Sequence, residues 1–157
     1  RAAKFDDVEK IHKLLNDYAK AGLMLPRSRN AIYENLRDYI VAMQGSHLVG
    51  CGALHFVWDR LAEIRSLAVD PELKCTGIGR NIVELLEKEG IERGVKMFFT
   101  LTYQPGFFAK CNYIETAKEK LPQKVWKECV YCPQYPYCNE IAFVKTTVDY
   151  QPGDILF

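Results

Sequence analysis

The residues best suited to chemistry lie on either side of Asp70-Pro71. Downstream, Gly77 and Gly79 stand at the head of a segment whose apolar residues Ile78, Ile82, Leu85 and Leu86 fall at helical spacing. A strand, a glycine-bearing loop and a helix N-terminus together make an anion site. Backbone N–H groups converge there, the helix dipole adds partial positive charge, and glycine lets the backbone approach phosphate oxygens. Neither familiar nucleotide loop is present: no Gly-Lys-Ser/Thr closes a Walker form, and the third glycine of the dinucleotide form is missing. Upstream, Leu61 to Val69 alternates, with Ala62, Ile64, Ser66 and Ala68 on one face and Glu63, Arg65 and Leu67 on the other. A charge buried without a partner is expensive. Glu63 and Arg65 therefore pair with each other or face a solvent-filled cleft, and both can hold.

A third constellation is Cys129-x-x-Cys132 followed by Cys138. The first spacing suits tetrahedral zinc, but no second pair or following His-x-His completes a set, so packed thiols and no metal are expected. Cys75 and Cys111 read as incidental thiols.

The elements that must position these groups are legible from periodicity and breakers. Asp6 with Glu9 three residues on suggests a capping box, and Val8, Ile11, Leu14, Leu15 and Tyr18 give a helix to about Ala21, stopped by Gly22. After the linker Leu23 to Ser28, Ile32, Leu36 and Tyr39 predict a second helix. Strands are predicted over Ile40 to Gln44 and His47 to Trp58, joined at Gly45-Ser46, and then over Leu61 to Val69. The glycine-headed helix ends at Gly94. Val95 to Thr102 predicts a strand, Phe107 to Cys111 a short helix ended by Asn112, and Glu140 to Val148 the last strand. Tyr150 to Phe157 reads as a tail that lies on another surface or is mobile.

The chain has 157 residues, enough for a proper core without disulfide staples. A net charge of +1 gives no reason to expect nucleic acid or an acidic membrane as partner. No apolar run is long enough to span a bilayer, and the start carries no signal-peptide pattern. Six cysteines then argue for free thiols in a reducing cytoplasm.

Leu67-Ala68-Val69-Asp70-Pro71, followed by Gly77-x-Gly79-Arg80 and an amphipathic helix, resembles the acetyl-CoA motif of the GNAT N-acetyltransferases. The usual motif starts with Arg or Gln and has glycine directly before x-Gly; Lys74-Cys75-Thr76-Gly77 occupies that place here. The resemblance implies an α/β (α+β) fold, with a mixed, mostly antiparallel sheet splayed at the acetyl-CoA site and flanked by helices. It implies one domain over 1–149 with a tail over 150–157. In this family strand backbone binds the thioester and pantetheine while loop amides hold the pyrophosphate. Leu67, Ala68, Val69, Cys75, Thr76, Gly77, Ile78, Gly79, Arg80 and Phe108 are thereby expected to contact acetyl-CoA.

A closer resemblance joins Leu25-Pro26-Arg27-Ser28, Val49 to Leu54, Ala62 to Val69, Leu101-Thr102-Tyr103 with Phe107-Phe108, and Leu121-Pro122-x-Lys124. In that order they are similar to the acetyltransferase domain of bacterial N-acetylglutamate synthases, in the short single-domain form. This implies transfer of acetyl to the α-amine of L-glutamate, the first step of arginine biosynthesis, with a homodimer as the expected assembly. Leu25, Arg27, Arg65, Ser66 and Lys124 are then the expected substrate contacts, the cations because a guanidinium binds a carboxylate with two parallel bonds. Glu63 matches the general base. Many relatives use as general acid a tyrosine where Phe108 stands, and Phe108 cannot donate a proton; Tyr103 takes that expected role, with Thr102 as an alternative. Other acceptors on the same fold, or a non-catalytic acyl-CoA sensor, remain the rival expectations.

Overall fold

A computed structural model describes residues 1–126, 129 and 139–155, with the Lys124 side chain outside the described set. Six strands form one sheet in the order β1-β2-β3-β4-β6-β5. They are β1 (Tyr39–Gln44), β2 (His47–Trp58), β3 (Leu61–Val69), β4 (Met97–Thr102), β5 (Ile114–Thr116) and β6 (Ile141–Thr146). The helices are α1 (Val8–Lys20), α2 (Arg29–Glu34), α3 (Ile78–Glu92) and α4 (Pro105–Lys110). Strands β3 and β4 pair in parallel over three rungs, Leu61 with Met97, Ala62 with Phe98 and Glu63 with Phe99, while β1–β2, β4–β6 and β5–β6 are antiparallel. Strand β3 runs on to Val69 and β4 to Thr102 past the last rung. The described residues contain no helix long and apolar enough to cross a membrane.

The chain divides into two compact units, Arg1–His55 with Ile64–Glu89, and Phe56–Glu63 with Gly90–Phe157. In the first, Val8, Ile11, Leu15 and Tyr18 of α1 and Ile32 of α2 are buried with Tyr39, Val41, Cys51, Ala53 and Ala68 from the strands. The period of 3.6 on the helix meets the period of two on β1, so one face of each supplies the core. On the opposite face of β2, Gly50 and Gly52 lie under α3. A Cβ on Gly52 would meet Ile82 Cγ2 at 2.7 Å, so glycine sets how closely the helix sits on the strand. In the second unit Leu61, Phe99, Leu121, Ala142 and Ile155 are buried together. The tail's Ile155 is 4% exposed, so its apolar surface is part of that core.

Several expected boundaries shift for local reasons. Asp6 does not open the first helix: Asp7 stands directly before it without a side-chain cap to it, and the Asp7 carboxylate instead reaches back to accept the Lys4 backbone N–H at 2.7 Å and both guanidinium nitrogens of Arg1 at 2.8 and 3.1 Å. A 3₁₀ turn over Phe5–Asp7 then leads into α1. The second helix stops at Glu34, and a 3₁₀ turn over Leu36–Asp38 leads to Tyr39, which already pairs with Ala53 as a strand residue. Strand β5 was not expected from the sequence; its three residues are too few for a periodic signal.

Asp7 offers a pH test. The Arg1 hydrogen bond, more than the Lys4 amide, holds its carboxyl below the usual carboxylate range. A depressed pKa gives stabilisation that is complete above the unfolded value and is lost as pH falls toward the folded one. Asp7→Asn is expected to cost about 1–3 kcal/mol near neutral pH, with the gap to wild type narrowing below about pH 4. Thermal melts across pH measure both quantities. A gap that stays constant into acid would remove the ionic account of this Asp7–Arg1 contact.

Candidate functional site

The loop after β3 is shaped by its own side chains. Asp70 donates its backbone N–H to Val49 O at 2.7 Å, while its carboxylate accepts from Glu72 N–H at 3.0 Å and caps the 3₁₀ turn Pro71–Leu73. Thr76 Oγ1 donates to Leu73 O at 2.5 Å. Two residues adopt left-handed backbone, Cys75 at φ 65° and Gly77 at φ 91°. Gly77 has open space where a Cβ would stand, so the glycine is there for its backbone rather than for a close neighbour. Asn81 N–H to Gly77 O, at 2.9 Å, is an early turn-closing bond of α3. The amides of Ile78, Gly79 and Arg80 fall in the first turn ahead of it, where helical N–H groups have no partner within the helix. Arg80 is exposed and reaches Glu84 at 3.4 Å. The Lys74 ammonium lies 5.3 Å from the centre of the Tyr18 ring. Tyr18 in turn donates its phenol proton to Val69 O at 2.5 Å.

A second group gathers in the same unit. Arg27 and Leu25 are half-buried in the linker between α1 and α2. That linker ends at Ser28, whose hydroxyl accepts from Ala31 N–H at 3.1 Å and caps α2. Arg29 then grips Glu9 of α1 with two bonds of 2.6 and 3.0 Å. Across β1 and β3, Tyr39 donates its phenol proton to Ser66 Oγ at 3.2 Å, and the positive charges of both Arg27 and Arg65 act on that phenol. Ser66, expected from the resemblance, thus holds the Tyr39 phenol within the field of Arg27 and Arg65, and Tyr39 is a residue that neither spacing nor resemblance placed in the site. Ser66 itself has φ 55°. A left-handed residue within a strand interrupts strict alternation. Leu67 lies on the α3 side, 3.3 Å from where a Gly52 Cβ would stand.

In the second unit Glu63 is half-buried on the last rung of the parallel ladder, opposite Phe99. Tyr103 is half-buried at the bend after β4, and Thr102 Oγ1 accepts the Gln104 N–H at 2.8 Å. Phe108 of α4 is buried between Phe107 and Tyr113, edge to face with both at centroid distances of 5.1 and 5.4 Å. Lys124 falls on the 3₁₀ turn Gln123–Trp126, with its side chain outside the described residues. Cys132 and Cys138 also lie outside them, and no metal-competent group of His, Cys, Asp and Glu occurs among the described residues.

Comparison with known proteins agrees with this fold. Residues 8–113 match the acetyltransferase (GNAT) family. The chain is 44% identical over 146 residues to an uncharacterized N-acetyltransferase of Chlorobaculum tepidum, covering 93% of this chain and 94% of that one. It is 34% identical over 131 residues to an amino-acid acetyltransferase of Mycobacterium tuberculosis, covering 82% and 75%. Among solved structures, Rv2747 of Mycobacterium tuberculosis in complex with CoA superposes with a TM-score of 0.81 at 27% identity, over 94% of this chain and 98% of that one. N-acetylglutamate synthase of Neisseria gonorrhoeae, complexed with coenzyme A and N-acetyl-glutamate, shares the fold with a TM-score of 0.84 at 23% identity, over 93% of this chain but 34% of that one. A sheet of this order, a glycine-headed α3 after β3 and these relatives lead to one assignment: the chain belongs to the GNAT family and is an acetyl-CoA-dependent N-acetyltransferase related to the amino-acid acetyltransferases.

Proposed function

We propose that this enzyme transfers acetyl from acetyl-CoA to the α-amine of L-glutamate, the reaction that opens arginine biosynthesis, in the cytoplasm and as a possible homodimer. The observation that carries the reading is the Tyr39–Ser66 hydrogen bond, set where the charges of Arg27 and Arg65 act on the phenol. Two guanidinium groups and a hydroxyl suit an acceptor with two carboxylates, and they oppose a polyamine, which would need acidic walls. Leu25 and Lys124 are the further acceptor contacts that the resemblance to the N-acetylglutamate synthases offers. The α-amine arrives protonated and must lose a proton before it attacks the thioester carbonyl that acetyl-CoA supplies. Glu63 takes that proton, directly or through water, and Tyr103 returns one to the departing thiolate.

The co-substrate's pyrophosphate suits the loop over Cys75, Thr76, Gly77, Ile78, Gly79 and Arg80. First-turn amides and the α3 dipole favour an anion there, and the missing Cβ of Gly77 leaves room for approach. Leu67, Ala68 and Val69 offer strand backbone to the pantetheine arm; Phe108, which the resemblance adds to the cofactor contacts, is buried between Phe107 and Tyr113. Gly77→Val is expected to weaken CoA binding by about tenfold or more, because a β-branched residue resists a left-handed backbone by about 1–2 kcal/mol. Calorimetric titration with CoA, beside a thermal melt to verify folding, measures this. An unchanged CoA affinity would remove the pyrophosphate assignment.

The reading as a whole is tested by following thiol release from acetyl-CoA with each of the twenty amino acids. Glutamate should be the preferred acceptor. A preference for another amino acid or a simple amine would keep the acetyltransferase and reassign its substrate.

A further inference from the structure

Tyr39 lies within the field of both Arg27 and Arg65, yet neither spacing nor resemblance pointed to it. It opens β1, pairs with Ala53 and is 3% exposed. Its phenol donates to Ser66 Oγ at 3.2 Å. Burial, the largest influence, raises its pKa against the opposing charges of Arg27 and Arg65, so it stays a proton donor at working pH. Ser66 has the left-handed φ of 55°, which an L-residue inside a strand adopts only when its surroundings hold it there. The same residue accepts the Cys51 thiol proton on its carbonyl at 3.4 Å. A serine hydroxyl that accepts from a phenol has its own proton left to give to another acceptor.

We propose that Tyr39 is a positioning residue of the acceptor site: by holding the Ser66 oxygen at a left-handed turn of β3, it aims the Ser66 proton at a carboxylate of the amino-acid acceptor, as a neutral donor alongside Arg27 and Arg65. This rests on the amino-acid acceptor proposed above. Arginines alone would take any anion, whereas a neutral donor of set direction favours the acceptor whose carboxylate oxygen stands at one place.

A double-mutant cycle on glutamate kinetics tests it. Tyr39→Phe keeps the ring and its burial, and should raise the glutamate KM by about three- to tenfold with kcat and the acetyl-CoA KM little changed. Ser66→Ala should do the same. Because the phenol acts only through the serine, the double variant should be no worse than Ser66→Ala alone. An unchanged KM in Tyr39→Phe, a lowered melting temperature as its sole effect, or losses that simply add would each overturn the inference. Wild-type turnover separates this from the parent reading. If wild type prefers another amino acid, glutamate as substrate falls and the cycle is run with that acceptor. If wild type acetylates no amino acid, both fall. A flat Tyr39→Phe response in an enzyme active on glutamate removes this inference alone.

Discussion

Glu63→Gln is expected to lower kcat by about 10²–10⁴-fold, the range spanned by loss of a positioned general base. The amide keeps the size of the side chain and its place on the last rung of the β3–β4 ladder beside Phe99, so the fold should be little affected. It cannot accept a proton, so the reaction then depends on amine that is already neutral. The deficit should shrink as pH rises, because the deprotonated fraction of the amine grows while the lost base is bypassed. A pH profile of kcat from neutral to alkaline measures this directly. Near-normal kcat at neutral pH would leave Glu63 a structural carboxylate and reopen the identity of the base.

Arg27→Ala should act on substrate grip rather than on chemistry. A bidentate bond to a charged group is formed in ground and transition states alike, so its loss appears in KM. The glutamate KM should rise by about ten- to a hundredfold, the effect of losing a charge-assisted bond of about 1.5–3 kcal/mol. The acetyl-CoA KM should stay near its wild-type value, since the residue lies in the linker before α2 rather than in the loop after β3. Arg27→Lys should recover part of the loss, because an ammonium supplies charge without the two-pronged plane. An unchanged glutamate KM in Arg27→Ala would count against glutamate recognition at this linker.

These two residues mark what the sequence could convey. Strands β2 and β3 have the bounds expected from alternation and turn chemistry, His47–Trp58 and Leu61–Val69. The loop was legible because its shape is set by its backbone, and glycine is the residue that reports unusual backbone. What escaped depended on partners distant in sequence. Ile32, Leu36 and Tyr39 have helical spacing, but the pairing of Tyr39 with Ala53 draws it into β1 instead. Tertiary pairing here outweighs local periodicity. Strict alternation likewise assigned Ser66 and Leu67 to opposite faces of a regular strand, without warning that Ser66 carries a positive φ. A non-glycine residue in that conformation leaves no mark in a single sequence. Tyr39 escaped for the same reason: its meaning lies in what it touches, 27 positions away.

The burial of Cys51 has a use in measuring motion. Its thiol is fully enclosed, pushed up to about 12 by desolvation, and bonded to the Ser66 carbonyl. Reagents that attack thiolates find essentially none at neutral pH. Alkylation at this position therefore waits for the core that Cys51 shares with α1 and α2 to open. Its rate, followed by mass spectrometry of the peptide, becomes a clock for how often that core opens. Slowing of that clock when CoA or an acceptor is added would express ligand binding as a lengthened dwell in the closed state.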